Sequence, residues 1–345
     1  MEDHTVLESV ELSPQQALDY AKRNVRREQD EVERIRRYAE HNKMPHPADV
    51  PTAPLILRIE VTNLCNANCV FCIYQYQKRE IETMSFDVFK KTVDQFTALG
   101  GSFISFTPVV GDALIDRQLE EKVAYARQFP QYDHLELWTN AILLTRKRFE
   151  SLVEAGINEF YISMSGFSAA EYKLLYRNSN YAKIIQNLTE IAQSRALQKV
   201  KFFVWARTGS DTPELEPDYI KLKDAFPVIF QREMFSWHGQ IKEEDLPGNM
   251  FIIKPPREQN KPCFLLWAGF TVMSNGDMTA CGCTDMDGEG LRLGNVNEQP
   301  IDAHFKDGRW AKLRDAFMAG TPPEFCKGCD MYFPHDARFA ETDRA

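Results

Sequence analysis

The sequence lacks the features of a nucleic-acid-binding, secreted or membrane protein. Its formal net charge is -9 over 345 residues, and it contains no block of basic residues. Proteins that bind nucleic acids without sequence preference need a basic face that displaces phosphate counterions. The first twenty residues resemble no signal peptide, and no apolar run is long enough to span a bilayer. We therefore expect a soluble cytoplasmic protein that binds neither nucleic acid nor membrane.

Cysteine is absent between Ile73 and Pro262, and this gap separates two groups of thiols. The first group is Cys65, Cys69 and Cys72, and the second is Cys263, Cys281, Cys283, Cys326 and Cys329. A chain of this length can bury an ordinary core, so it does not require disulfides for stability. Thiols grouped in this way are typical of ligands for metal or iron–sulfur centres.

Residues 1–50 predict a helical extension ahead of the main domain. Ser13, Pro14 and Gln16 form a capping pattern, and an apolar stripe continues as far as His41. Three prolines between residues 46 and 54 then end the helix. We expect this helix to lie across the main domain or a dimer partner.

Residues 51–240 contain six apolar, strand-like segments that alternate with helical patterns. The segments are Leu55–Thr62, Phe103–Thr107, His134–Thr139, Glu159–Ser163, Val200–Ala206 and Val228–Phe235. A single long helix is predicted from Ala169 to Ala196 in this region. The alternation predicts an α/β fold with a parallel sheet covered by helices. Six units are too few for a complete eight-unit barrel, so we expect a partial (β/α)6 TIM-like barrel.

Residues 241–345 predict a small C-terminal α+β domain. A hairpin is expected across Asn275–Gly276, followed by a helix from Ile301 to Met318 and the closing Cys326 and Cys329 pair. Because the core of such a domain is thin, a bound metal centre would supply much of its stability. The spacing of the cysteines alone allows either a zinc ribbon or an iron–sulfur centre.

The first cysteine group leaves one coordination place open. Three thiolates do not close a structural zinc site, whereas a [4Fe–4S] cluster held by three thiolates keeps one accessible iron. Cys65-x3-Cys69-x-Phe71-Cys72 after a first strand resembles the signature of the radical S-adenosylmethionine (radical SAM) superfamily. The resemblance implies that SAM binds the open iron and yields a 5′-deoxyadenosyl radical that abstracts hydrogen from a substrate C–H. It also implies an external electron donor such as flavodoxin or ferredoxin.

The resemblance implies further SAM-binding positions. Phe71 is similar to the aromatic residue that contacts adenine. Gly111 and Asp112 stand where the family has a Gly-Gly-Glu motif that takes the SAM amino group, although Val110 and Asp112 depart from that motif. Ser163 resembles the polar residue that contacts the ribose or carboxylate of SAM, and Arg177 resembles the arginine that pairs with the carboxylate.

The second cysteine group resembles a SPASM or shortened "twitch" domain. This resemblance implies one auxiliary [4Fe–4S] cluster with Cys263, Cys281, Cys326 and Cys329 as ligands, because the chain lacks the further cysteines of a full SPASM domain. Cys283 is then the spare thiol. As a catalytic residue it would return a hydrogen atom to a substrate radical and cause epimerisation. Alternatively, the auxiliary cluster takes an electron from that radical and causes oxidation.

The predicted barrel mouth is rich in polar and aromatic side chains, namely Gln75, Tyr76, Trp205, Arg207, Trp237 and His238. They favour a small polar, carbohydrate-like substrate, such as a sugar or aminocyclitol, and therefore a radical SAM oxidoreductase or epimerase. Residues 1–50 lack the strands of a leader-binding module, so a peptide-modifying maturase is the second hypothesis. The non-enzymatic hypothesis is a zinc-stabilised interaction protein.

Overall fold

The computed structural model describes residues 54–254, 259, 261–306 and 308–334. The predicted helix from Pro14 to His41 lies outside these residues. Among the described helices, none combines the length and the apolar character needed to cross a bilayer.

Six strands run parallel, in sequence order, through the larger part of one sheet. They are β1 (Ile56–Ile59), β2 (Phe103–Phe106), β3 (His134–Thr139), β4 (Glu159–Ser165), β5 (Lys201–Arg207) and β6 (Val228–Gln231). Each strand pairs in parallel with the next, and every crossover contains at least one helix. This order confirms the predicted partial (β/α)6 TIM-like barrel.

The crossover helices pack on one face of these strands. They are α1 (Phe86–Ala98), α2 (Leu119–Arg127), α3 (Arg146–Ala155), α4 (Ala169–Tyr176), α5 (Tyr181–Ala192) and α6 (Pro217–Leu222). The prediction of one helix from Ala169 to Ala196 is wrong. Arg177 adopts a left-handed backbone with φ of 52°, and the Asn178 side chain accepts from the Asn180 N–H. Asparagine favours such local bonds over a continuous helix.

The C-terminal region extends the same sheet beyond β1. After a separate pair of short strands, β7 (Glu233–Met234) and β8 (Phe251–Ile252), come α7 (Phe264–Ala268), β9 (Gly269–Val272), β10 (Asp277–Thr279), β11 (Arg292–Asn295), α8 (Ile301–Lys306) and α9 (Arg309–Met318). The strand β9 pairs in parallel with β1, and β10 and β11 follow in antiparallel order. The sheet therefore contains strands from both sides of the predicted domain boundary at residue 240. The boundary itself stays a prediction.

Two glycines shape this C-terminal part of the sheet. The predicted hairpin across Asn275–Gly276 is confirmed, with Gly276 at φ of 86°. At Gly269, a Cβ atom would lie 2.1 Å from the Ile56 carbonyl oxygen, so only glycine lets β9 approach β1 this closely. The prediction of one helix from Ile301 to Met318 is wrong, because Gly308 at φ of 78° precedes a second helix.

Side chains alternate between the two faces of the barrel strands, as the pleat requires. The outward set is buried in the apolar core that includes the helices, for example Leu57, Ile104, Leu137, Phe160 and Val204. The opposite, inner face is polar and aromatic. In register it includes Arg58, Ser105, Glu136, Trp138, Tyr161, Ser163, Trp205 and Arg207.

We predict that Lys122→Met lowers the free energy of unfolding by about 3–5 kcal/mol, because the Asp116 carboxylate would stay buried without its cation. Lys122 Nζ lies 2.5 Å from Asp116 Oδ2 and 2.6 Å from the Met84 carbonyl oxygen. It thus joins the segments that follow β1 and β2. Thermal unfolding under anaerobic conditions measures the effect, with exposed Lys199→Met as the control. Equal melting temperatures for the two variants would contradict it.

Candidate functional site

Cys65, Cys69 and Cys72 lie together on the loop that follows β1, at the carboxyl end of the parallel strands. The loop packs against the end of α4, because the backbone N–H groups of Asn68 and Val70 donate to carbonyl oxygens of that helix. In parallel α/β folds this edge of the sheet carries the functional residues. The fold thus brings all three predicted ligands to the expected edge.

The three thiols form a donor set that suits a cationic iron centre. Burial raises the pKa of Cys65 to about 12 and also raises the pKa of Cys69 and Cys72. Neighbouring thiolates add to this rise for Cys65 and Cys69, whereas Arg207 opposes it for Cys69 and Cys72. The Tyr74 N–H donates to Cys72 Sγ at 3.4 Å. A bound cationic centre would displace the thiol protons.

Arg207, the last residue of β5, brings two of the predicted SAM contacts together. Its guanidinium donates to Ser163 Oγ and lies over the Phe71 ring, 4.8 Å from the ring centroid. Ser163 Oγ is also 3.2 Å from the Tyr176 hydroxyl, and the Tyr176 ring meets the Phe71 ring edge to face. Sequence analysis assigned Arg207 only to the barrel mouth. Its position at the end of a predicted strand, where parallel α/β folds carry functional residues, was the sequence signal that could have identified it as a site residue.

Arg177 occupies a different part of the site. Its guanidinium donates to Gln75 Oε1 at 2.9 Å, and both residues line an open cavity that also reaches Cys65. The contacts described for Arg177 include neither Ser163 nor Phe71. Its proposed pairing with the SAM carboxylate stays a prediction.

Gly111 and Asp112 fix the loop after β2 against the cysteine loop. At Gly111 φ is 109°, and a Cβ atom would lie 2.5 Å from the Thr62 carbonyl oxygen. The buried Asp112 carboxylate accepts from Thr139 Oγ1 at 2.9 Å and from the Asn140 N–H at 2.8 Å, while burial raises its pKa. These bonds give Asp112 a structural role. Its contact with the SAM amino group stays a prediction.

The second cysteine group also converges in space. One cavity is lined by Cys263, Cys281, Cys283, Cys326 and Cys329, together with apolar side chains. Burial and neighbouring thiolates raise the pKa of Cys329 to about 12, with the same direction for Cys263, Cys283 and Cys326. A single Zn²⁺ would draw four sulfurs to about 2.3 Å from one point. No three of the five sulfurs, all in the described part of the chain, lie within 4.8 Å of one another, so the set is wider than a single-zinc site.

Cys281 is the best-supported sulfur acceptor of this group. The backbone N–H groups of Cys283 and Thr284 lie 3.4 and 3.2 Å from Cys281 Sγ, and Thr284 Oγ1 lies 3.5 Å from it. Hydrogen bonds of this kind stabilise a thiolate that binds iron. Cys283 lines the same cavity as the four predicted ligands. This position is the same for a fifth ligand and for a hydrogen-atom donor, and the catalytic role of Cys283 stays a prediction.

A larger open cavity lies between the cysteine loop and the C-terminal region. It is lined by Ile73, Tyr76, Lys78, Trp237, His238, Gln240, Thr284, Asp285, Met286, Asp287, Glu289, Gly290 and Phe325. The Trp237 indole donates to the Phe71 carbonyl oxygen at 3.1 Å, which connects this cavity to the cysteine loop. His238 Nε2 lies 3.2 Å from Thr284 Oγ1. The lining includes residues adjacent in sequence to both cysteine groups, because Ile73 follows Cys72 and Thr284 follows Cys283.

The barrel and its two thiol groups define an α/β iron–sulfur enzyme, and the comparisons with known proteins identify the family. Residues 59–205 match the model of the Radical SAM superfamily. Residues 263–330 match the SPASM iron–sulfur cluster-binding domain. The chain belongs to the radical SAM superfamily and carries a C-terminal SPASM domain. This membership implies SAM, a SAM-binding [4Fe–4S] cluster and auxiliary iron–sulfur binding, which the two donor sets fit.

The curated relatives match only part of this chain. The GTP 3′,8-cyclase of Clostridium botulinum strain Hall is 25% identical over 175 residues, which are 50% of this chain and 53% of the relative. The GTP 3′,8-cyclase of Alkaliphilus oremlandii is 26% identical over the same length and the same shares. This chain thus spans about half the length of these relatives.

Solved structures share the fold at low sequence identity. BtrN in complex with AdoMet and 2-DOIA is 19% identical, with a TM-score of 0.52 over 77% of this chain and 87% of that chain. Native anSMEcpe with AdoMet and the Cp18Cys peptide is 18% identical, with a TM-score of 0.52 over 80% and 86%. Streptococcus suis SuiB bound to S-adenosylmethionine is 13% identical, with a TM-score of 0.57 over 87% and 79%.

We predict that the protein purified without oxygen contains about eight irons, as two four-iron clusters require. Replacing Cys65, Cys69 and Cys72 together with alanine should remove about half of the iron. The matched triple variant of Cys281, Cys326 and Cys329 should remove the other half. Iron analysis and absorption near 400 nm measure both. Zinc in place of iron, or full iron in either triple variant, would contradict the predicted ligands.

We predict that Arg207→Gln weakens SAM binding at least about tenfold, because a hydrogen bond to a charged group contributes roughly 1.5–3 kcal/mol. The variant also releases Ser163 and Phe71 from their shared partner. Equilibrium dialysis with radiolabelled SAM, at matched iron content, measures the affinity. Exposed Arg195→Gln is the control, and an unchanged affinity in Arg207→Gln would reject the role.

Proposed function

We propose that this radical SAM enzyme acts at a carbinol C–H of a small polar, carbohydrate-like substrate and oxidises that carbon. Cys65, Cys69 and Cys72 would hold the [4Fe–4S] cluster, and SAM on its open iron, with reduction by an external donor such as flavodoxin or ferredoxin, would supply the 5′-deoxyadenosyl radical that removes a hydrogen atom. The residues of the chain bind the substrate, orient it and accept its proton.

The lining of the larger cavity is the observation that carries this proposal. Its lining includes the carboxylates Asp287 and Glu289, one lysine, Lys78, and the aromatic rings of Tyr76 and Trp237. Asp285 also lines it, but both of its carboxylate oxygens already accept backbone N–H groups. An excess of carboxylates beside aromatic rings suits a hydroxyl-rich molecule that carries an amine, such as an aminocyclitol or amino sugar.

His238 is the cavity residue best suited to accept a substrate proton. Histidine is the side chain that most often serves as a general base in enzymes. The His238 ring packs against Phe325, with centroids 4.5 Å apart, and Nε2 contacts Thr284 Oγ1. Since Thr284 Oγ1 is also 3.5 Å from Cys281 Sγ, one hydroxyl lies between the imidazole and a predicted cluster ligand. This arrangement supports loss of the proton to His238 and of the electron to the auxiliary cluster on the same side of the cavity.

The position of Cys283 supports oxidation over epimerisation. A thiol that returns a hydrogen atom to a substrate radical has to reach the substrate. In the described structure, Cys283 lines the smaller cavity with the four predicted ligands and is not part of the lining of the larger one. Thr284, the next residue, lines both cavities.

Peptide modification is the second candidate. Structures of similar fold were solved with a small molecule, as for BtrN with 2-DOIA, and with peptides, as for anSMEcpe with Cp18Cys and SuiB with the precursor peptide SuiA. At these identities the likeness shows the fold alone. The choice of a small molecule therefore rests on the charged and aromatic side chains that line the larger cavity.

We predict that a panel of aminocyclitols and amino sugars includes a substrate that is oxidised in the presence of SAM and dithionite. The product should be two mass units lighter than the substrate, with release of 5′-deoxyadenosine. In deuterated water it should gain no deuterium at the reacting carbon, and Cys283→Ala should keep the reaction. Mass spectrometry measures both products.

Three results would decide against this proposal. A product of unchanged connectivity that carries one deuterium, and that is lost in Cys283→Ala, would establish epimerisation. Release of 5′-deoxyadenosine with peptides and not with the small molecules would establish a maturase. A colourless protein that holds zinc would establish the non-enzymatic hypothesis.

A further inference from the structure

Arg58 is a buried arginine that points from the barrel towards the second cysteine group. It lies on the inner face of β1, paired in register with Ser105 of β2 and Thr271 of β9. Its side chain crosses to Gly282, where an added Cβ atom would lie 2.7 Å from both Cζ and Nη1 of the guanidinium. Gly282 separates Cys281 from Cys283, so the guanidinium lies beside the segment that joins these two cysteines.

One nitrogen of the Arg58 guanidinium has no hydrogen-bond partner among the described residues. Arg58 is only 8% exposed, and its Nη1 atom is buried with no hydrogen-bond partner among the described residues. A buried, charged donor without a partner costs free energy, so a negative acceptor is expected beside it. Glu60 stands two residues further along the same strand face, but its two carboxylate oxygens accept from Nη1 and Nη2 of Arg79.

The second cysteine group provides the missing acceptor when it holds a cluster. A [4Fe–4S] cluster with thiolate ligands carries net negative charge, and hydrogen bonds to its sulfurs help to set its reduction potential. Arg58 faces this group, because its guanidinium lies beside Gly282, between Cys281 and Cys283. The geometry and the charge thus point to the same site.

We propose that Arg58 is a positioning residue of the auxiliary cluster, which donates a hydrogen bond from Nη1 to a cluster sulfur and raises the reduction potential of that cluster. A fixed positive charge stabilises the reduced cluster more than the oxidised cluster, because the reduced form carries one more negative charge. The inference rests on the auxiliary iron–sulfur site of the SPASM domain and not on the identity of the substrate. With this role for Arg58, strand β1 contributes to the sites of both cysteine groups.

The experiment uses the full chain with Cys65, Cys69 and Cys72 replaced by alanine, so that only the auxiliary cluster contributes. In this background we compare Arg58→Gln, which removes the charge, with Arg58→Lys, which keeps it. The matched control is Arg146→Gln, whose side chain is 44% exposed on α3. Iron analysis gives the cluster content, and redox titration followed by electron paramagnetic resonance gives the midpoint potential.

The expected result is a more negative midpoint potential in Arg58→Gln, a smaller shift in Arg58→Lys and no shift in the control. Gly282→Ala, whose methyl group displaces the guanidinium, should shift the potential in the same direction as Arg58→Gln. If Arg58→Gln loses its iron, retention of iron by Arg58→Lys still supports the requirement for charge.

Three results would overturn the role of Arg58. The first is an unchanged midpoint potential in Arg58→Gln at full iron content. The second is loss of iron from both Arg58→Gln and Arg58→Lys while circular dichroism shows a folded chain, which would indicate that packing alone matters. The third is a background protein that holds no iron, which would contradict the auxiliary site itself. None of these results depends on the substrate, so they are distinguishable from failure of the proposed reaction.

Discussion

The strict alternation of side chains along the parallel strands is the constraint on which both sites depend. Because successive residues point to opposite faces, the apolar residues of β1 to β6 bury themselves with the helices, and the residues between them face the barrel interior. On that inner face, Trp138 stacks on Tyr161 with centroids 4.2 Å apart, and Ser163 meets Arg207 at the strand ends. A register slip of one residue would exchange the two faces and destroy the site.

The pairing of β9 with β1 extends this constraint to the auxiliary domain. Since Gly269 allows β9 to lie directly beside β1, the hairpin that carries Cys281 belongs to the same sheet as the barrel. The Thr271 hydroxyl, in register with Arg58, donates to the Cys281 carbonyl oxygen. One strand therefore positions Cys65, Cys69 and Cys72 at its carboxyl end, and from its inner face it reaches the segment between Cys281 and Cys283.

The sequence was sufficient for the elements that depend on pattern, and insufficient for those that depend on distant contacts. The spacing of Cys65, Cys69 and Cys72 and the six strand-like segments predicted the barrel and its thiol loop. The left-handed turn at Arg177 was missed, because an apolar stripe on both sides of it favours one helix. The contact of Arg58 with Gly282 joins residues more than two hundred positions apart, and no local pattern records it.

The two cysteine groups differ from the rest of the protein interior in the way that nearby charges are compensated. Elsewhere, buried charges such as Glu60 with Arg79 and Asp116 with Lys122 are compensated within the protein. Each thiol group instead has an inner-face arginine nearby. Arg207 is already oriented by Ser163 and Phe71, so its position does not depend on a bound group. Because Arg58 Nη1 has no such partner among the described residues, its position is the one that a cluster would stabilise most.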